Sequence, residues 1–190
     1  MSENQNKMDF KNILSKRTGI YGIKKVVSQA QVDEKSRNEL YNLLYDNDIT
    51  TAYQAAWAMC HFSVLDNEWL FGKQDELIDN VLVCTHSGKR RLILTLLLKQ
   101  PLKNDPPRLD FLDFCLERMY SKNEPPGVKS LCIKISYQLC RSIPELLNEY
   151  TQMLELVETE LLPPSLQCAK NNMLKRLNSK PKNRNFKLIL

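Results

Sequence analysis

The stretch that decides the fold lies at residues 125–140 and reads PPGVKSLCIKISYQLC. Its apolar residues recur at the spacing of one face of a helix. They are Val128, Leu131, Cys132, Ile135 and Leu139. Two prolines stand at its start, where a helix accepts proline because the first turn does not use the missing N–H. The stretch holds Lys129 and Lys134 but no carboxylate, although the chain has 22 acidic residues. Residues 125–140 are therefore predicted to form a one-sided helix with a cationic exposed side.

Three further segments share this start and this apolar spacing. They begin at Thr50, Ser87 and Pro164, so that with Pro126 the starts lie 37, 39 and 38 residues apart, and an incomplete copy begins at Thr18. More strongly amphipathic segments lie between them. The last of these carries Leu146, Leu147, Tyr150, Met153, Leu154, Val157 and Leu161. Two helices per unit at a fixed period indicate stacked helical hairpins, because one hairpin cannot bury its own apolar face.

Over roughly residues 32–178 this pattern resembles the HEAT and armadillo type of helical repeat, whose units are hairpins of about 40 residues. The resemblance implies an all-α, right-handed α-solenoid of about four HEAT-like hairpins with an N-terminal partial repeat. It also implies that the amphipathic A helices line the convex side and the B helices the concave side. The prolines at 125, 126, 163 and 164 open B helices, whereas HEAT repeats often carry proline inside the A helix.

The amino-acid composition limits which folds the chain can form. With 43% hydrophobic and 26% charged residues the chain is expected to fold, and five glycines are few for hairpin turns, Rossmann loops or P-loops. We predict a partly helical N-terminal segment at residues 1–17, one solenoid domain at 18–178, and a basic C-terminal tail at 179–190. That tail is either a flexible arm, a terminal cap or disordered.

Residue usage predicts a cytoplasmic protein without a membrane anchor. The start MSENQNKMDF lacks the apolar run of a secretory signal, and six cysteines stand singly among apolar residues. The longest charge-free stretch, from Ile49 to Leu65, is too short and too polar to span a bilayer. We interpret that stretch as one buried helix.

Charge is sorted along the chain. No Asp or Glu occurs in the B segments, which are residues 18–31, 50–65, 87–103, 126–142 and 164–190. Apart from Glu3 and Asp9, the acidic residues lie in the A segments and their loops. The sorting predicts a basic concave surface and an acidic convex one. The alternative is that the cations pair with carboxylates of neighbouring loops and only solubilise the surface.

Several cations are predicted to contact an anionic partner. The sharpest cluster stands in SGKRR at 87–91, because three cations at a helix start oppose the helix dipole unless an anion offsets them. The alternative there is neutralisation by Asp75, Glu76 or Asp79 on the preceding helix. The predicted anion-binding residues are Lys89, Arg90, Arg91, Lys134, Arg141, Lys175 and Arg176.

Trp57 and His61 stand four residues apart, opposite the apolar stripe of their helix, which consists of Ala52, Ala55, Ala56 and Met59. This spacing puts both rings on one helix face. They are candidates for stacking on a base or holding a peptide. The alternative is that the pair packs against the next repeat.

Signals for catalysis are weak. The chain contains no nucleotide-binding, metalloprotease or nucleophile-elbow motif, and Cys84 and His86 are its best metal pairing but lack a second pair. HEAT-like DNA alkylation-repair glycosylases use a basic concave face with tryptophans and a carboxylate. Here Lys73 follows Trp69 at the spacing where that family has aspartate. We assign no catalytic residue and expect no cofactor and no metal.

The sequence therefore predicts a non-enzymatic interaction module that binds nucleic acid or an acidic protein segment on a basic concave surface. A DNA glycosylase of the alkylation-repair type is one alternative. A protein–protein scaffold without preference for polyanions is the other.

Overall fold

The computed structural model describes residues 8–103, 106–157 and 163–178. Within these residues the chain forms eleven α-helices, one 3-10 turn at Leu43–Tyr45 and no strand. The helices are α1 (Phe10–Leu14), α2 (Ile20–Ala30), α3 (Glu34–Asn42), α4 (Ile49–Met59), α5 (Val64–Phe71), α6 (Gln74–Val83), α7 (Ser87–Leu98), α8 (Leu109–Tyr120), α9 (Pro126–Cys140), α10 (Pro144–Leu156) and α11 (Pro164–Asn178). None of these described helices is both long and apolar enough to cross a membrane.

The helices stack in two layers. Helices α2, α4, α7, α9 and α11 contact one another in that order and form what we call the B layer. Four further helices cover one side of it, with α3 on α2 and α4, α6 on α7, α8 on α9, and α10 on α9 and α11, while α1 packs on α4. The starts of α4, α7, α9 and α11 lie 38, 39 and 38 residues apart. The predicted all-α solenoid of four hairpins with an N-terminal partial repeat is confirmed.

The core runs through the whole stack between the two layers. Ala52, Ala55, Ala56 and Met59 of α4 are all fully buried, as their spacing predicts. Small side chains on α4 let neighbouring helices approach closely, while the larger apolar residues of α7 and α9 fill the later repeats. The core is one connected cluster rather than separate pockets of apolar residues.

Helix starts follow from local chemistry. The carboxylate of Asp48 accepts hydrogen bonds from the backbone N–H groups of Thr50 and Thr51, which caps α4. Pro126 and Pro164 are the first residues of α9 and α11, as their positions before apolar runs predict. These signals separate each B helix from the A helix before it.

Two element boundaries differ from the sequence-based expectation. The charge-free stretch at 49–65 is not one helix, because α4 ends at Met59 and Ser63 opens α5 with a reciprocal cap to Asp66. Val64 and Leu65 consequently lie on an A helix and are exposed. The following A segment is also divided, since the backbone turns tightly at residues 72–73 between α5 and α6.

The N-terminal partial repeat is joined to the stack by a buried amide. Gln54 of α4 donates to the carbonyl oxygen of Leu14 at 2.6 Å and accepts from the N–H of Thr18 at 2.7 Å. Helix α1 also buries Phe10 against the core. Residues 1–7, Leu161 and the basic tail at 179–190 lie outside the described residues.

Candidate interaction surface

One side of the B layer is open, and repeat-equivalent residues lie in rows across it. Trp57, Thr95, Lys134 and Asn172 stand 38, 39 and 38 residues apart, the same offsets as the helix starts. We use the name basic face for the cations on this open side of the layer. They are Lys24, Lys25, Arg91, Lys134, Arg141, Lys175 and Arg176, all exposed except Lys134, which is half-buried.

The basic face contains no carboxylate, because none of the five B-layer helices has an Asp or Glu. Within the described residues, the side chains of Arg91, Lys134, Arg141 and Lys175 form no ion pair or hydrogen bond, and the same holds for Lys24 and Lys25. Several cations elsewhere form ion pairs. Their contacts are Lys11 with Asp46 at 2.6 Å, Lys73 with Glu76 at 3.1 Å, Lys103 with Asp75 at 2.9 Å and Arg108 with Asp79 at 2.8 Å. Lys35 and Lys122 are exposed without an ion pair in the described residues, so local neutralisation accounts for part of the remaining surface.

Lys89 was predicted to bind an anion, and the structure places it elsewhere. Its side chain is buried, and its ammonium group donates a hydrogen bond of 2.6 Å to the carbonyl oxygen of Leu44. Burial lowers the pKa of Lys89. The ammonium group closes the end of the preceding hairpin and does not face a ligand.

Arg90 is the second predicted anion-binding residue that the structure places elsewhere. It is buried and forms an ion pair with Glu124 in the loop before α9, while its guanidinium also donates to the carbonyl oxygen of Cys84. Its neutralisation thus comes from the following repeat and not from Asp75 or Asp79. Those two carboxylates bind Lys103 and Arg108.

The start of α7 is capped by a side chain. The Nδ1 atom of His86 accepts a hydrogen bond of 3.0 Å from the backbone N–H of Lys89. One of the donors that a phosphate would use is therefore occupied. Of the three cations predicted to bind an anion at the start of this helix, Arg91 is the one that remains exposed.

Arg91 is the exposed member of the cluster. Its side chain lies along the start of α9, where a Cβ added to Gly127 would stand 3.2 Å from the Cδ atom of Arg91. The missing side chain at Gly127 gives the arginine stem room to cross to the next repeat. Arg91 thereby keeps its guanidinium on the basic face.

Trp57 and His61 lie together on the same open side. Their ring centroids are 6.2 Å apart and the rings are tilted by 60°. Trp57 packs partly on the core, whereas His61 is exposed. Trp57 also lines a pocket of about 600 Å³ with Tyr53 and Arg17. Trp57 therefore packs partly against the core, as the alternative predicted. The two rings remain accessible, and Trp57 lies near Arg17.

A second pocket, also of about 600 Å³, lies between α7, α9 and α11. It brings together Lys134 and Arg176, which the sequence places 42 residues apart. The other lining residues are Leu98, Tyr137, Gln138, Asn172 and Met173. Sequence reasoning did not select these, although the repeat offset puts Leu98 and Tyr137 at equivalent positions and is the signal that would find them.

Metal-binding geometry is absent from the described part of the chain, where no group of three or more His, Cys, Asp or Glu residues is placed to hold an ion. Cys84 and His86 are instead used locally. The Cys84 thiol donates to the carbonyl oxygen of His86 at 3.5 Å, while the His86 ring caps α7.

Comparison with protein families shows that a HEAT repeat domain model matches residues 10–177. The chain belongs to the HEAT repeat family. Repeats of this family generally mediate protein interactions. The match begins at α1 and so covers the N-terminal partial repeat as well as the four hairpins. No curated protein and no solved structure matches the chain significantly.

Proposed function

We propose that the basic face of this HEAT repeat domain binds an acidic segment of a partner protein. The observation that supports this is the absence of carboxylates from the B-layer helices, together with the exposed cations Arg91, Arg141 and Lys175, which have no ion pair within the described residues. Stacked repeats present extended surfaces suited to long, linear partners. Shape and charge, rather than a chemical reaction, are the means of action.

The expected energetics are those of many weak contacts. One exposed ion pair contributes about 0–1 kcal/mol, so no single cation of the face accounts for binding. An array of unpaired cations also raises the association rate by steering. Both contributions are screened by salt. Affinity is therefore expected to fall as ionic strength rises.

A charge-reversal pair tests the proposal. The variant Arg141→Glu with Lys175→Glu changes two exposed cations of the basic face, and Lys35→Glu with Lys122→Glu makes the same charge change at exposed cations elsewhere. The first variant is expected to weaken binding of a labelled Glu-rich peptide by about tenfold or more, and the second by about twofold or less. Equal weakening by both would show that only net charge matters and would overturn the proposal.

Single-stranded nucleic acid is a second candidate, favoured by Trp57 and His61 on the same side as the cations. Stacking of a base on an aromatic ring contributes about 1–3 kcal/mol. An oligothymidylate titration distinguishes the candidates. Trp57→Leu should weaken oligothymidylate binding and leave Glu-rich peptide binding unchanged if nucleic acid is the partner. Oligothymidylate binding that is insensitive to Trp57 and to salt would count against nucleic acid.

The glycosylase alternative finds no supporting observation. A base-excision reaction on the basic face needs a carboxylate there, and the B-layer helices provide none. The carboxylates of Asp75 and Asp79 are held on α6 by Lys103 and Arg108.

A further inference from the structure

The pocket between α7, α9 and α11 brings two cations of the basic face together with amide and apolar side chains. Lys134 and Arg176 supply the positive charge. Gln138 and Asn172 add amide groups, and Leu98, Tyr137 and Met173 supply apolar surface. A volume of about 600 Å³ is in the range that holds two or three side chains of a ligand.

Lys134 is the central feature of this pocket. Its side chain is half-buried, and within the described residues it makes no hydrogen bond and no ion pair. A cation that is partly removed from water without a partner loses solvation, and an anion entering the pocket would offset that loss. The exposed cations of the face, such as Lys24 and Lys25, keep more of their hydration and gain less from one contact.

We infer that this pocket is the anchor of the basic face and receives a carboxylate side chain together with an apolar side chain of the same partner segment. The inference rests on the proposed function. In an extended segment, side chains two positions apart point to the same side. An acidic and an apolar residue at positions i and i+2 therefore enter together, with the carboxylate on Lys134 and the apolar group on Leu98 and Tyr137.

A protein segment fits this pocket better than a nucleic acid does. Of the rings suited to base stacking, Trp57 lies on α4 and His61 just after it, two helices along the layer from α9, which carries Lys134. In the pocket itself Tyr137 packs at a tilt on Tyr150, with centroids 6.4 Å apart. General charge attraction does not distinguish one acidic segment from another. The pocket adds specificity because it selects a segment with an acidic and an apolar residue two positions apart.

Three short labelled peptides with the same acidic flanks test the inference. Their centres read Glu-Ser-Leu, Gln-Ser-Leu and Glu-Ser-Ser. The protein is expected to bind the first about fivefold or more tightly than either of the others. Lys134→Met should abolish the preference for Glu over Gln. Asn172→Trp, which fills the pocket from the exposed side of α11, should abolish the preference for Leu over Ser.

The control is Lys25→Met, which removes a cation of the basic face outside the pocket. It is expected to weaken all three peptides equally and to keep both preferences. Circular dichroism and thermal unfolding establish that each variant is folded.

The outcomes separate the inference from the proposed function. Equal binding of the three peptides, with weakening by the Arg141→Glu and Lys175→Glu variant, would overturn the anchor and leave the proposed function intact. Binding of none of them would overturn both. Tighter binding of oligothymidylate that is lost in Lys134→Met would make the pocket a phosphate site and overturn the inference.

Discussion

Arg90 and Glu124 form an ion pair inside the stack, and this pair joins α7 to the loop that precedes α9. Both side chains are buried, with 7% and 6% of their surface exposed. The guanidinium of Arg118 lies 3.7 Å from the same carboxylate oxygen. A buried charge that loses its partner is strongly destabilising. The pair therefore makes the second and third hairpins depend on each other.

Glu124→Ala is expected to lower the free energy of unfolding by about 3–5 kcal/mol, because it leaves the Arg90 guanidinium buried and unpaired. Replacing both partners, with Arg90→Met and Glu124→Leu, should recover most of that loss. Urea denaturation followed by circular dichroism measures both. Glu117→Ala, at an exposed position of α8, is the control. A Glu124→Ala loss no larger than that of the control would contradict the role of the pair.

Lys89 and Arg91 are expected to show opposite phenotypes although they stand two residues apart. Lys89→Met removes a buried hydrogen bond to Leu44 and should cost about 1–3 kcal/mol of stability without changing affinity for a Glu-rich peptide. Arg91→Met should reduce that affinity and leave stability nearly unchanged. Denaturation and peptide titration on both variants provide the measurements. Reduced affinity in folded Lys89→Met would show that the lysine reaches the ligand.

The free energy of unfolding is expected to decrease as the pH is lowered through the acidic range. Asp66 contributes to that decrease. Burial of its carboxyl group favours the neutral form, but hydrogen bonds from Ser63 and Arg37 outweigh burial and lower the pKa of Asp66 below 3.8. A lowered folded pKa contributes stability above about pH 4, and that contribution is lost as pH falls through the folded value.

Asp66→Asn should therefore be less stable than the parent protein near neutral pH and should lose less stability on acidification. Urea denaturation at a series of acidic pH values measures this slope. The matched control is Asp113→Asn, which changes an exposed carboxylate of α8. A slope in Asp66→Asn as steep as in the control would refute the assignment.

Trp57 is expected to report binding at the basic face, because it is the tryptophan on that side. Trp69 lies on α5 against Tyr41 and Arg37. Addition of a ligand should change the emission of the Trp69→Phe variant and leave that of Trp57→Phe constant. A change confined to Trp57→Phe would place the ligand on the A-helix side.

Thiol labelling should be dominated by Cys168, the exposed cysteine of the described residues. Burial raises the pKa of Cys60 and of Cys140 to about 11, so few of these thiols are ionised near about pH 8. Cys115 is fully buried and its pKa is also raised. A thiol reagent should show one fast phase that Cys168→Ser removes. Persistence of that phase would contradict the assignment to Cys168 and place it on a less exposed thiol such as Cys84.

The period of helix starts and the absence of carboxylates from B helices were predictable because both are properties of linear sequence. Side-chain direction at Lys89, Arg90 and Arg91 was not. Successive helical residues point about 100° apart, and the run that follows them at residues 92–98 has a single polar residue, Thr95, to mark which direction is open. The partner of Arg90 is 34 residues away in sequence, a distance that no local pattern bridges.

The boundary between α4 and α5 shows a different limit. The signal was present at Ser63, which is followed three residues later by Asp66 in a reciprocal cap. It was outweighed by the continuous lack of charge from Ile49 to Leu65. Capping chemistry acts over a few residues, whereas hydropathy is averaged over a longer window, and here the shorter signal was correct.

Contact between each hairpin and its immediate neighbours alone gives the array a mechanical property. Small rotations at each junction add along the stack, so the separation between Lys24 at one end and Lys175 at the other varies more than any distance inside a repeat. We therefore expect the spacing between cations of different repeats to adjust more easily than the spacing within one repeat.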